Sequence, residues 1–233
     1  MPGWLIWGGV FVLVFGSIFA MAYFGGGNGN GTTGTASLKD AVTEKDWIKG
    51  GGLKAPVILV EYGDFQCPAC AAYHAFVEKL VSELGNQVSF VYRNFPLRTI
   101  HKNADLSAQA AEAAGKQGKF WEMYNLIFEH QKDWADDSAA REKFLAYAQS
   151  LNLDLANFKR DMDSSEVKDK IEGDFQSGLR SNIQGTPTFY INGNKINNPL
   201  SYDEFKKLII EAQNAGPVAP KQNTSTDLDA SSS

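Results

Sequence analysis

Residues 56–85 read PVILVEYGDFQCPACAAYHAFVEKLVSELG, and the fold is decided in this stretch. Val57, Ile58, Leu59 and Val60 form a continuous apolar run with β-branched members, which predicts a strand buried on both faces, as in an α/β sheet. After Gly63 and Asp64 come Cys67-Pro68-Ala69-Cys70, and then Tyr73, Phe76, Val77, Leu80, Val81 and Leu84 recur at helical spacing until Gly85. Cys67 is therefore expected at the N-terminus of a helix, with Pro68 in the first turn, where its missing N–H is no loss. Val88 to Tyr92 predicts a second strand. Strand, helix, strand is a βαβ unit, and its right-handed crossover makes the two strands parallel.

Downstream, helical patterns follow one another over about 101–181: Ala104 to Ala114, then Phe120, Met123, Tyr124, Ile127 and Phe128, then Phe144, Ala148 and Leu151, then Val167, Ile171, Phe175 and Leu179. Strand character returns at Thr188 to Ile191, Asn192-Gly193 supplies a hairpin turn, and Lys195-Ile196 begins the return strand. A last amphipathic helix starts at Ser201.

The ends have a different composition. All 22 Lys and Arg and all 27 Asp and Glu lie from Lys39 onward. Trp4 to Phe24 is an uncharged run whose helix would be about 31 Å long, matching a hydrocarbon core of about 30 Å, with Trp4, Trp7 and Tyr23 at the interfaces. Residues 1–24 are read as one transmembrane helix; Ala20-Met21-Ala22 leaves a cleaved signal peptide as the alternative. Residues 25–37 are a glycine-rich linker, 38–216 the folded domain, and 217–233 a tail with too little apolar surface to fold. A net charge of -5 gives no basic footprint for nucleic acid.

Cys67 and Cys70 are the only cysteines, so any disulfide within the chain joins these two. A thiolate is the attacking species in disulfide exchange, and a helix N-terminus favours it through unpaired N–H groups and the helix dipole. Cys70, one turn on, is placed to bond Cys67 or to resolve a mixed disulfide. The metal reading does not hold: Cys67, Cys70 and His74 have tolerable spacing, but a closed tetrahedral site needs four ligands and no second cysteine pair exists.

EYGDFQCPAC after a buried strand, YRNFPL closing the next, an alanine-rich stretch leading into QGKFWEMY, and GTPTFYING together resemble the DsbA-like branch of the thioredoxin superfamily, over about Thr43 to Ala212. The resemblance implies an α/β thioredoxin fold with an inserted α-helical domain, and a thiol-disulfide oxidoreductase acting outside the cytoplasm. It implies Cys67 as nucleophile and Cys70 as resolving thiol, with no organic cofactor or metal beyond that redox pair. It implies that Pro187, after Thr186, takes the cis form beside the sulfurs, where an extended substrate can pair with the backbone. It also implies that Glu61 is a buried acid exchanging a proton with Cys70 through water; a strand-end carboxylate facing water is the other reading of Glu61. Ala69 stands where the family's strongest oxidants carry histidine.

The expected activity is oxidation of reduced secreted or membrane proteins by a single-pass, membrane-anchored domain lying outside the cytoplasm, periplasmic or on the outer face. A quinone-linked membrane partner is expected to reoxidise it. A reductase or isomerase on the same fold, and a non-catalytic peptide-binding module, are the alternatives.

Overall fold

The computed structural model describes residues 37–216. The expected span Trp4–Phe24, the linker before Ser37 and the tail from Pro217 lie outside the described residues, among which no helix is long and apolar enough to cross a membrane. In chain order the elements are β1 (Trp47–Gly50), β2 (Val57–Gly63), α1 (Pro68–Leu84), β3 (Val88–Asn94), α2 (Ala104–Gly115), α3 (Phe120–Glu129), α4 (Gln131–Trp134), α5 (Ala140–Ser150), α6 (Leu155–Asp163), α7 (Ser165–Arg180), β4 (Thr188–Ile191), β5 (Asn194–Lys195) and α8 (Tyr202–Asn214).

The five strands form one sheet in the order β1-β3-β2-β4-β5. Only β2 and β3 are parallel, in register from Val57 against Val88 to Gly63 against Asn94, and the other pairs are antiparallel. The βαβ unit is as the apolar runs predict, with β2 and β3 each carried two or three residues further than the apolar run alone suggests. This places Glu61 inside β2, beside Tyr92 of β3 and Phe189 of β4. α2 to α7 form the helical insertion between β3 and β4.

Alternation along the strands sorts the core onto two faces. Val57, Leu59, Val88, Phe90, Tyr92, Phe189 and Ile191 join α1, α8 and the insertion in one large cluster. Val60, Tyr62, Val91 and Tyr190 face a smaller one with Phe95 and Ile183, covered in part by Leu38 and Val42 of the N-terminal segment. That segment is held by buried Arg93, which donates to Asp46 at 2.7 Å and to the carbonyls of Asp40 and Ala41. Ordered pairing starts one residue before the expected linker boundary: Ser37 bridges Asn194, and Leu38 N–H donates to Gly193 O.

Local chemistry explains the helix limits. Ser164 and Ser201 hydroxyls accept from Val167 and Glu204 N–H, and the Asp154 carboxylate from Asn157 N–H, each satisfying an otherwise unpaired first-turn donor. α1 stops at Gly85, whose φ of 52° lies in the left-handed region.

Candidate active site

The C-terminal ends of β2 and β3 and the start of β4 lie at one end of the sheet, because β4 runs antiparallel to β2. Cys67, Pro187 and Glu61 are brought together there. Cys67 is the N-cap of α1 with extended backbone (φ -70°, ψ 121°), and Pro68 is the first helical residue. The Thr186–Pro187 peptide is cis, and the Cys67 thiol faces Thr186 O at 3.4 Å. Pro68 and Ala69 are exposed; Cys67 is 7% exposed and Cys70 only 1%. Both cysteines are free thiols.

Their environments drive the two sulfurs apart. The Cys70 thiol donates toward Cys67, and Thr186 and the N–H groups of Cys70 and Ala69 assist, so Cys67 falls from 9.0 to about 5 despite partial burial. Cys70 goes the other way: burial, then the neighbouring Cys67, hold it well above the usual thiol range, and its sulfur accepts only a long contact from Asp64 N–H at 3.5 Å. At neutral pH Cys67 is a thiolate and Cys70 a thiol, the division of labour that disulfide exchange requires.

Glu61 is 1% exposed and neither carboxylate oxygen has a hydrogen-bond partner among the described residues. Burial first, and the Cys67 charge second, push it up to about 8. Glu61 is thus buried within β2 rather than facing water at a strand end.

The frame around the cysteines is built from residues that no local pattern marks. Gln131 of α4 donates from Nε2 to the carbonyls of Phe65 (2.7 Å) and Cys67 (3.0 Å). Gln66 donates to Ala135 O and accepts from Asn103 N–H, while the Asn103 amide holds the carbonyls of Trp134, Ala135 and Asp137. Asp64 accepts from Gln66 N–H, Leu97 N–H and His101 Nδ1, fixing the loop after β3 to the turn before Cys67. Asn198 donates to Pro187 O at 2.8 Å and braces the proline loop. His74 shares a hydrogen bond with Asn125 Oδ1 and stacks on Phe128.

A low-pKa thiolate capping a helix, a buried partner thiol one turn later and a cis-proline loop facing them define a class: the thioredoxin-fold proteins of thiol-disulfide exchange. The family model described as Thioredoxin matches residues 43–211. The chain belongs to the thioredoxin family, and its fold is that of the DsbA-like thiol-disulfide oxidoreductases. It is 33% identical over 184 residues to Na(+)/H(+) antiporter NhaA 3 of Salinispora tropica, matching 79% of this chain and 27% of that protein. The chain thus spans about a quarter of the length of that relative. It is 35% identical over 162 residues to Probable disulfide bond formation protein D of Bacillus cereus, covering 66% of this chain and 73% of that one. Oxidised BdbD from Bacillus subtilis superposes with a TM-score of 0.66 at 27% identity, over 76% of this chain and 97% of that chain. DsbA-like proteins of this fold work with a redox-active disulfide and no external cofactor.

Proposed function

We propose that this chain is an extracytoplasmic thiol oxidase, which passes a Cys67–Cys70 disulfide to reduced cysteines of secreted or membrane proteins. Trp4–Phe24 would hold it at the membrane, where a quinone-linked partner recharges it. The observation that carries the reading is the thiolate: stabilising Cys67 at about 5 favours the reduced form and so makes the disulfide oxidising. In the exchange, a substrate thiolate attacks Cys67 of the disulfide, and Cys70 leaves and takes up a proton. A second substrate thiolate then attacks the substrate sulfur of the mixed disulfide. The substrate gains a disulfide, and Cys67 departs as a thiolate. The cis-proline loop supports the same reading, since Thr186 and Pro187 present backbone beside Cys67 for an extended peptide.

A redox titration against glutathione tests the direction. Thioredoxin's nucleophilic thiol lies near 7 and its potential near -270 mV; a thiolate about two pKa units lower is worth about 60 mV, which puts this pair near -210 mV. A value at or below -270 mV would make the domain a reductase. Topology is tested on reduced intact cells with a membrane-impermeant maleimide, which should label Cys67; labelling seen only after lysis would refute the location.

A further inference from the structure

Behind Cys70, on the sheet face that carries α1 and the insertion, three polar side chains are buried without a hydrogen-bond partner among the described residues: Glu61, the Tyr92 hydroxyl and the Tyr124 hydroxyl. They converge. Glu61 and Tyr92 are register partners on adjacent parallel strands, and the Tyr92 and Tyr124 rings meet edge-on with centroids 5.1 Å apart. Phe65, two residues before Cys67, closes over both rings at 4.9 and 5.7 Å. The Tyr92 ring also lies against the backbone of Gly63, so closely that a Cβ there would sit 2.9 Å from its hydroxyl oxygen.

A buried hydroxyl left unpaired costs about 1–3 kcal/mol, and an unpaired carboxyl costs more. Three such groups at one spot in an otherwise close-packed core are not explained by packing, because phenylalanine would fill the same two ring positions without the penalty. Two phenol donors opposite a carboxyl acceptor suit water, which needs two to four polar partners to be held in an interior. We propose that Tyr92 and Tyr124 are positioning residues: their hydroxyls hold in place the water bridge through which, as the DsbA-like resemblance implies, Glu61 and Cys70 exchange a proton. Burial keeps both phenols well above their usual pKa, so they stay neutral donors throughout the working range.

The proposal rests on the exchange reading and deepens it. When Cys70 resolves a mixed disulfide on Cys67, a Cys70–Cys67 bond forms, the bond from Cys67 to the attached sulfur breaks, and that sulfur leaves as a thiolate. The proton lost by Cys70 passes through the bridge to the Glu61 carboxylate. Cys70 is oxidised and the departing sulfur reduced, so no further reactant is needed. A thiol held well above its usual pKa is slow to ionise at neutral pH. In the mixed disulfide Cys67 carries no charge, which lowers Glu61 from its value of about 8 in the reduced pair, and its ionised fraction, growing as pH rises, supplies the missing base. The other titratable groups near the bridge are Cys67, Asp64 with its His101 partner, and His74 and Glu78 on α1.

The test uses glutathione, so it does not depend on the direction of the physiological reaction. The Cys67–glutathione mixed disulfide is prepared in acid, jumped to pH values from 5.5 to 8.5, and glutathione release is followed. Tyr92→Phe and Tyr124→Phe should each slow release at pH 7 by about tenfold, part of the 10²–10⁴ a positioned base supplies, and should flatten its rise with pH. The pH profile of Cys67 alkylation in the reduced protein should stay that of the parent. Glu61→Gln should reproduce the flattening. Release at the parent rate from both phenylalanine variants overturns the bridge, and so does a slowing matched by an equal shift in Cys67 alkylation, which marks general loosening. Should one variant fail to fold, the other decides. A parent protein that never releases glutathione overturns the exchange reading itself, and the bridge with it.

Discussion

Ala69 is exposed at the first turn of α1, and it reaches the chemistry only through its backbone N–H, one of the groups that steady the Cys67 thiolate. Its methyl group adds nothing to that charge. An imidazolium there would add a cation within one turn of Cys67, and each pKa unit of extra thiolate stabilisation is about 1.4 kcal/mol, or about 30 mV for the two-electron couple. Ala69→His should therefore lower the Cys67 pKa from about 5 and raise the potential in parallel, by about 30 mV for each unit. Alkylation against pH and a glutathione titration, run on variant and parent, measure the two shifts. A lowered pKa with an unmoved potential would mean that the oxidised form gains as much as the reduced one. Cys67, Cys70 and Ala69 were legible in the sequence because the motif is contiguous and the helix start is local, whereas Pro187, far along the chain, was marked only by the family resemblance. The burial of Glu61 was not, since it depends on β3, β4 and the insertion closing over one face of β2.

At the scale of elements, β1 and α6 escaped the sequence reading while β2, α1 and β3 did not, and the reasons differ. β1 has four residues, lies at the edge of the sheet and mixes Trp47 and Ile48 with Lys49, so neither strict alternation nor an apolar run marks it. What fixes it is distant: Trp47 stacks on Phe120 with ring centroids 4.5 Å apart and donates its indole N–H to buried Glu112, while Lys49 pairs with Glu78. α6 has a capping aspartate and Phe158 and Met162 on its buried side, but only nine residues in which to show a period. The bridging amides Gln66, Asn103 and Gln131 share the same obscurity, each polar residue being informative only once its partner is near. Gly115 reports how tightly β1 is seated, because a Cβ there would lie 2.3 Å from Trp47 Cζ2. Gly115→Ala should displace the indole and destabilise the domain by about 1–3 kcal/mol, the usual effect of overpacking. Urea unfolding measures it, and Cys67 alkylation should be unchanged. An unshifted unfolding midpoint would show that Trp47 yields freely and that β1 is not anchored by its stack.

For the whole molecule, the cysteine pair and Glu61 tie redox state to stability through protons. Cys67 is depressed from 9.0 to about 5 in the folded reduced protein, so its contribution is fully present above 9 and is lost as pH falls through 5. Glu61 is raised from 4.5 to about 8, so its contribution is fully present below 4.5 and is lost as pH rises through 8. Between pH 5 and 8 the folded reduced pair holds one proton, on Glu61, and the unfolded chain also holds one, on Cys67. The two slopes cancel. The oxidised protein has no Cys67 thiolate to balance, and burial alone still raises Glu61, so it loses about 1.4 kcal/mol per pH unit from 4.5 until that carboxyl ionises. Glu112, pushed by burial to about 7, and Asp174, also raised by burial, lie in a separate cluster with Asn94 and Lys170 and titrate alike in both redox states. The difference in Tm between reduced and oxidised protein therefore isolates the active site. It should move in favour of the reduced form as pH rises from 5 to 7, whatever constant the disulfide adds. Paired thermal melts at half-unit steps check this, and a difference that stays level or moves the other way would show that reduction stores no charge at Cys67, removing the physical basis for an oxidising disulfide.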